Sequence, residues 1–226
     1  MGGPRRRRAR PAAALPRAVA GFLDALGLPP IVRRGADLRG TPARVAQAWR
    51  EDLLDGYGQE PAAVLREAMP SAARGLVAVT GIDYHSVCPH HLLPSRGVAH
   101  VAYVPGGRLV GFGQLARLVD ALAHRLVLEE DLARQVAEAL VRHAGARGAA
   151  CLLEAEHLCL TVRGERRPRA IAHAQCFTGV LARDRALQRR FLSAVERAGA
   201  QAAPRGRGRA SLQGGSRAGG RGRGRR

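Results

Sequence analysis

Leu115, Leu118, Val119, Leu122 and Leu126 recur at the i, i+3, i+4, i+7 spacing of one buried helical stripe. Leu132, Val136, Leu140 and His143 continue that period in a second helix, which stops near Gly145. On either side of the pair the period drops to two. Residues 76–87, 98–104, 149–162 and about 170–181 alternate and are rich in Val and Ala, so each predicts a strand. Pro105-Gly106-Gly107 turns the chain into a further short strand over 108–111. Ahead of the strands lie three helical stretches. Residues 19–26 form the first; the second opens at Thr41-Pro42 and runs past Val45 and Trp49 to about 55, with Thr41 as N-cap and proline at the first helical position. The third covers 61–69, and a last helix covers 185–197. Strands, two helices, then strands again predict an α+β fold: an antiparallel four-stranded sheet with a helix pair on one face, preceded by an N-terminal helical segment.

Composition changes this picture at the ends. All 37 basic residues are Arg, and the formal net charge is +19. Six Arg fall in residues 1–17 and eight in 199–226, stretches without Asp or Glu; removing those fourteen leaves 23 Arg against 18 acids. The excess therefore sits mostly outside the patterned region. Residues 1–16 and 199–226 read as disordered Arg-rich tails, flanking a helical region at 17–75 and a strand-and-helix domain at 76–198. The 46% of apolar residues excludes global disorder, and only 4% aromatics leaves Leu, Val and Ala to build the core. No run of about 18 apolar residues occurs, which excludes a transmembrane helix. Arg5–Arg8 is followed by a segment broken at Pro16, Arg17 and Asp24, so no secretory leader is expected. The chain is expected to be cytoplasmic, its four cysteines reduced and free to bind metal.

Chemistry concentrates in two segments. In Cys88-Pro89-His90-His91 a turn can aim thiolate and imidazole, three residues apart, at one Zn²⁺. One such pair is equally an incidental polar turn. The second segment, Glu154 to Arg163, alternates so that His157, Cys159, Thr161 and Arg163 share one strand face, with Leu158, Leu160 and Val162 turned to the core. A face that displays imidazole, thiol and guanidinium together is unusual as a structural surface. Cys88, His91 and Cys159 then complete a Cys₂His set with its fourth position open to water, the catalytic pattern. His90 and His157 remain beside it as acid/base groups, with reference pKa values of about 6.5. Cys151 and Cys176 read as buried thiols, and His100 as a packed histidine.

Three stretches, CPHHLLPSRGVAHVAYVPGGRLVGF, EAEHLCLTVRG and TPARVAQAW with the nearby GYG, resemble GTP cyclohydrolase I over about residues 17–197. The resemblance implies the tunnelling fold, in which subunit sheets join into a barrel, and a toroidal homodecamer. It implies a reaction in which GTP and water give 7,8-dihydroneopterin triphosphate and formate, the entry to tetrahydrofolate and other pterins. By matching positions, Cys88, His91 and Cys159 are the implied zinc ligands, and His90 the acid/base at the opening imidazole ring. His157 is implied in proton transfers near the ribose, Arg163 and Arg117 in holding the triphosphate, and Glu130 in gripping the guanine edge.

The chain also departs from the family pattern. Gly113 and Gln114 stand where the family usually has Ser and Lys, Glu129 where it has Gln, and Ser95 where it commonly has Phe. Ala170, Ala172 and Ala174 replace a Ser/Thr-rich strand. These changes leave two competing expectations. One is a paralogue with altered substrate or weak activity; the other is a non-catalytic zinc or nucleic-acid-binding protein. The Gly/Arg-rich end from Gly206 suits weak, non-specific RNA contact, although it has no aromatic residue to stack on bases.

Overall fold

A computed structural model describes residues 14–202. Residues 1–13 and 203–226, which hold most of both expected tails, lie outside the described residues. Helix α1 (Ala14–Ala25) begins inside the segment read as the first tail. Helix α2 (Thr41–Ala48) starts where the Thr-Pro signal puts it, with Gly40 rather than Thr41 as the cap. It runs into a π turn at Trp49–Leu53 and a 3₁₀ turn at Asp55–Gly58.

The sheet follows. Strands β1 (Val77–Val87) and β2 (Pro94–Val104) form a hairpin. Helices α3 (Phe112–Ala123) and α4 (Glu129–Ala144) come next, and then β3 (Gly148–His157) and β4 (Ala172–Gly179). All pairings are antiparallel, in the spatial order β1-β2-β3-β4. Helix α5 (Arg185–Ala202) closes the described chain. This is the α+β arrangement expected of a tunnelling-fold subunit. Two glycines shape it. Gly81, at φ +80°, sits where the β1–β2 register slips between Val79 and Ile82, a bulge the alternation did not announce. Gly145, at φ +68°, is the left-handed stop of α4, whose first turn is acidic and last turn basic, as the helix dipole favours.

Alternation gives the sheet two packed faces. Val101, Tyr103, Cys151 and Leu153 meet the α3–α4 stripe, where Leu115, Leu118, Val119, Leu132, Val136 and Leu140 are all fully buried. On the opposite face Ala102, Val104, Ala150 and Leu181 close over Phe191 of α5. His100 shares that second face and is 3% exposed, and its ring nitrogens have no hydrogen-bond partner among the described residues. Burial pushes its pKa down, against the weaker opposing pull of the Glu154 carboxylate 3.9 Å away. A base depressed in the folded state is neutral in both states above its unfolded value of about 6.5. Below that, the unfolded chain takes up the proton first, and stability falls by up to about 1.4 kcal/mol per pH unit. Urea melts from about pH 7.5 down to roughly 5 should show this loss, and His100→Gln should flatten it. An unchanged slope in that variant would assign the acid sensitivity elsewhere.

Candidate metal centre and active site

The register decides what meets at one end of the sheet. Val87 pairs with Pro94, and Ser95 pairs with His157, so the end of β1, the start of β2 and the end of β3 lie side by side. Between β1 and β2, residues 88–93 form a tight loop. Its closure takes Leu92 into the left-handed region at φ +54°, with the Leu92 N–H bonded to the Cys88 carbonyl and the Cys88 N–H to that of Leu93. This holds Cys88 buried and His90 and His91 exposed.

The alternation read through 149–162 does not persist. β3 ends at His157, and Leu158–Thr161 is a single helical turn. The reason is pairing: β3 and β4 part company after Ala155↔Ala172, which leaves nothing to hold 158–162 extended. Thr161 is consequently buried and Val162 exposed, the reverse of the expected facing. The turn nevertheless carries Cys159 back to the loop. One ligand atom from each of Cys88, His91 and Cys159 lies within 4.8 Å of the others.

Electrostatics there ask for a cation. Burial and the adjacent Cys88 sulfur push the Cys159 thiol up, and Arg163 opposes them. Two sulfurs so close are comfortable as thiolates only with positive charge between them. The donor set, two soft sulfurs and one imidazole on a partly open surface, fits a zinc-like divalent ion with a position left free. Arg163 Nη1 contacts His91 Nε2 at 2.5 Å, and His90 Nδ1 lies 3.9 Å from Cys88 Sγ. A hollow of about 410 Å³ is lined by Leu53, His85, Pro94, Ser95, Arg96 and Leu158, of which Pro94 follows the loop and Leu158 precedes Cys159 in the chain.

The remaining expected residues divide. His157 ends β3 two residues before Cys159, its Nε2 3.3 Å from Glu129 Oε1. Arg117 is exposed on α3, one turn beyond Gly113. Glu130 is exposed in the first turn of α4, whereas Glu129 beside it is buried. Sequence reasoning missed Glu129 as an inward group, together with Tyr84, whose hydroxyl donates to Glu129 Oε2 at 2.6 Å. Ser95 Oγ donates to Oε1 at 3.1 Å. Gln114, at the family's Lys position, is committed to the fold: its oxygen accepts the Gly111 N–H at 2.8 Å and its amide donates to the Val64 carbonyl at 2.9 Å.

Comparison with known proteins places the chain in a family. The family model described as GTP cyclohydrolase I matches residues 16–196. The chain belongs to the GTP cyclohydrolase I family. A relative named GTP cyclohydrolase 1 from Chromobacterium violaceum is 46% identical over 192 residues, 84% of this chain and 92% of its own. One from Ralstonia nicotianae is 47% identical over 156 residues, 69% of this chain and 75% of its own. A third, from Dehalococcoides mccartyi, is 37% identical over 188 residues, 82% and 97% of the two chains. Membership in this family makes the chain one of a family of enzymes and gives the sulfur–imidazole cluster its context.

Proposed function

We propose that this protein is a GTP cyclohydrolase I, converting GTP and water to 7,8-dihydroneopterin triphosphate and formate. The observation that carries the reading is the convergence of Cys88, His91 and Cys159 beside His157 and Arg163 in a chain of that family. Those three residues hold a divalent ion, zinc in this reading, which when bound supplies the Lewis acidity that makes water a nucleophile near neutral pH. His90 moves protons at the opening imidazole ring, and His157 does so nearer the ribose. Arg163 and Arg117 bind the triphosphate as fixed, always-charged forks. With Gln114 turned into the fold, they carry that task from this chain without a neighbouring cation at 114. Glu130, exposed in the first turn of α4, accepts the N–H groups of the guanine edge.

The protein acts in this reading as a cytoplasmic homodecamer. Its four cysteines are all free thiols, and among the described residues no helix is long and apolar enough to cross a membrane. Helix α1 buries none of its residues within the chain, and Phe22 and Ile31 are exposed on the N-terminal region. β1 and β4 are open sheet edges, the groups through which subunit sheets continue into a barrel. Weak RNA contact by the Gly/Arg-rich end is proposed as an accessory. In support, that end carries Arg at 207, 209, 217, 221, 223, 225 and 226 with no Asp or Glu.

The decisive experiment incubates the purified, zinc-loaded chain with GTP and follows formate release and the ultraviolet absorbance of the pterin. Turnover supports the reading. Bound metal without turnover overturns it, and a panel of other purine nucleotides then shows whether the substrate is different. In the same assay, a chain lacking 203–226 should keep its turnover while losing retention on RNA at low salt.

A further inference from the structure

Glu129 is a carboxylate with 7% exposure, and no Arg or Lys pairs with it among the described residues. Two hydroxyls donate to it instead, and one imidazole stands close by. Tyr84 Oη donates to Oε2 at 2.6 Å, Ser95 Oγ donates to Oε1 at 3.1 Å, and His157 Nε2 stands 3.3 Å from Oε1. Tyr84 is 5% exposed and Ser95 2% exposed, so the two hydroxyls are buried with the acid they serve. The Tyr84 hydroxyl is pushed well above its ordinary pKa by burial and by the neighbouring Glu129, so it stays a donor. Three elements contribute: Tyr84 comes from β1, Ser95 from β2 and Glu129 from α4, all converging on the last residue of β3.

Burying a carboxylate is costly unless its lone pairs are filled, and here two hydroxyls fill them without bringing a counter-charge. The further polar group beside it among the described residues is the imidazole of His157. Charge-assisted bonds are roughly twice as strong as neutral ones. Which ring nitrogen carries a hydrogen is set by the partner of the other. We propose that Glu129 is a positioning residue for His157: held by Tyr84 and Ser95, it accepts from Nε2, fixes the ring plane, and leaves Nδ1 as the nitrogen offered to substrate. Glu129 and Ser95 are two of the positions where the chain departs from the family pattern, and the structure joins them by a hydrogen bond. The two departures thus act as one change: the serine hydroxyl supplies the donor that the buried acid requires. The proposal rests on the reading of His157 as a group that handles protons during turnover.

The test uses the full-length, metal-loaded protein and two substitutions. Glu129→Gln keeps the shape and removes the charge; Glu129→Leu removes the acceptor as well. Loss of an orienting partner of this kind typically costs about 10- to 100-fold in activity. The expected result is a fall in kcat of about 10-fold for Gln and about 100-fold for Leu, with KM for GTP held within about threefold. Metal content should not change. Should Glu129→Leu fail to fold with its two hydroxyls left unpaired, Glu129→Gln carries the test alone. A second readout does not need turnover. Magic-angle-spinning spectra of protein with ¹⁵N-labelled histidine, assigned with His157→Gln, should show Nε2 of His157 as the hydrogen-bearing nitrogen at fixed pH. In Glu129→Gln that signal should shift or split. An unchanged kcat together with an unchanged ring signal overturns the proposal. So does a rise in KM alone, which would make Glu129 a substrate contact. If the wild-type protein does not turn over GTP, the functional reading fails and the ring signal by itself decides the positioning role.

Discussion

Cys159→Ala is expected to empty the metal centre. Zinc content measured by plasma mass spectrometry should fall from near one per chain to a small fraction, and GTP turnover should fall by about 10³-fold or more. Three ligand atoms within 4.8 Å of one another are the minimum that holds such an ion while leaving a position free. Removing one leaves Cys88 and His91 from a single six-residue loop, a two-point site open to water. The loss is not one of packing, because Cys159 is only partly buried and its neighbours in the helical turn keep their backbone bonds. Cys151 supplies the control. It is fully buried in β3 and lies outside the cluster, its thiol pushed up mainly by burial. Cys151→Ala should leave the zinc content as it was. Metal retained in Cys159→Ala would mean that the sulfur is not a ligand.

The contrast between these two cysteines shows what a sequence can and cannot disclose. The Cys88–His91 spacing is local, and a loop of six residues leaves few ways to place two side chains three apart, so two of the three cluster residues were legible. Cys159 was legible as a partner but for an incomplete reason. Odd-numbered alternation put it on a strand face with His157, whereas a helical turn brings it to the loop. Alternation is a necessary mark of a strand; a cross-strand partner is the sufficient one, and pairing with β4 stops at Ala155. The helix pair was legible as two helices because the 3.6-residue period recurs in both, but α3 stops at Ala123, so Leu126, read as the end of its stripe, lies beyond the helix and is exposed. That same period held a clue left unused. Glu129 lies three residues before Leu132 and seven before Val136, on the buried stripe of α4, while Glu130 is turned to solvent. A carboxylate on an apolar stripe is a signal in its own right: it must find donors, and here Tyr84 and Ser95 provide them. What no local pattern could give is the Ser95↔His157 register, a contact between strands 62 residues apart that depends on the whole sheet closing.

Phe191→Ala should be the most damaging single truncation on the second face of the sheet. Aromatics are 4% of this chain, and Phe191 is one of its two largest fully buried side chains. It packs edge-on against Phe177 of β4, with ring centroids 6.2 Å apart at 78°, and fills the space between Ala102, Val104, Ala150 and Leu181. Its small neighbours cannot move in to close the gap. Removing a buried Phe from such a site costs about 3–5 kcal/mol, transfer and cavity terms together. For a domain of this size each kcal/mol lowers the melting midpoint by about 2–4 °C, so a drop of roughly 6–20 °C is expected at matched protein concentration. The loss should be directional. Phe191 is the fully buried apolar anchor of α5, so hydrogen exchange should rise first along Arg185–Ala202, ahead of α3 and α4 on the far face. Zinc content and turnover per folded molecule should hold at low temperature, because the cluster sits at the other end of β2 and β3 from Val104 and Ala150. Uniform exchange across both faces, with α5 no worse than α3, would show that the two sides of the sheet melt as one unit and that Phe191 is no more than a share of a common core.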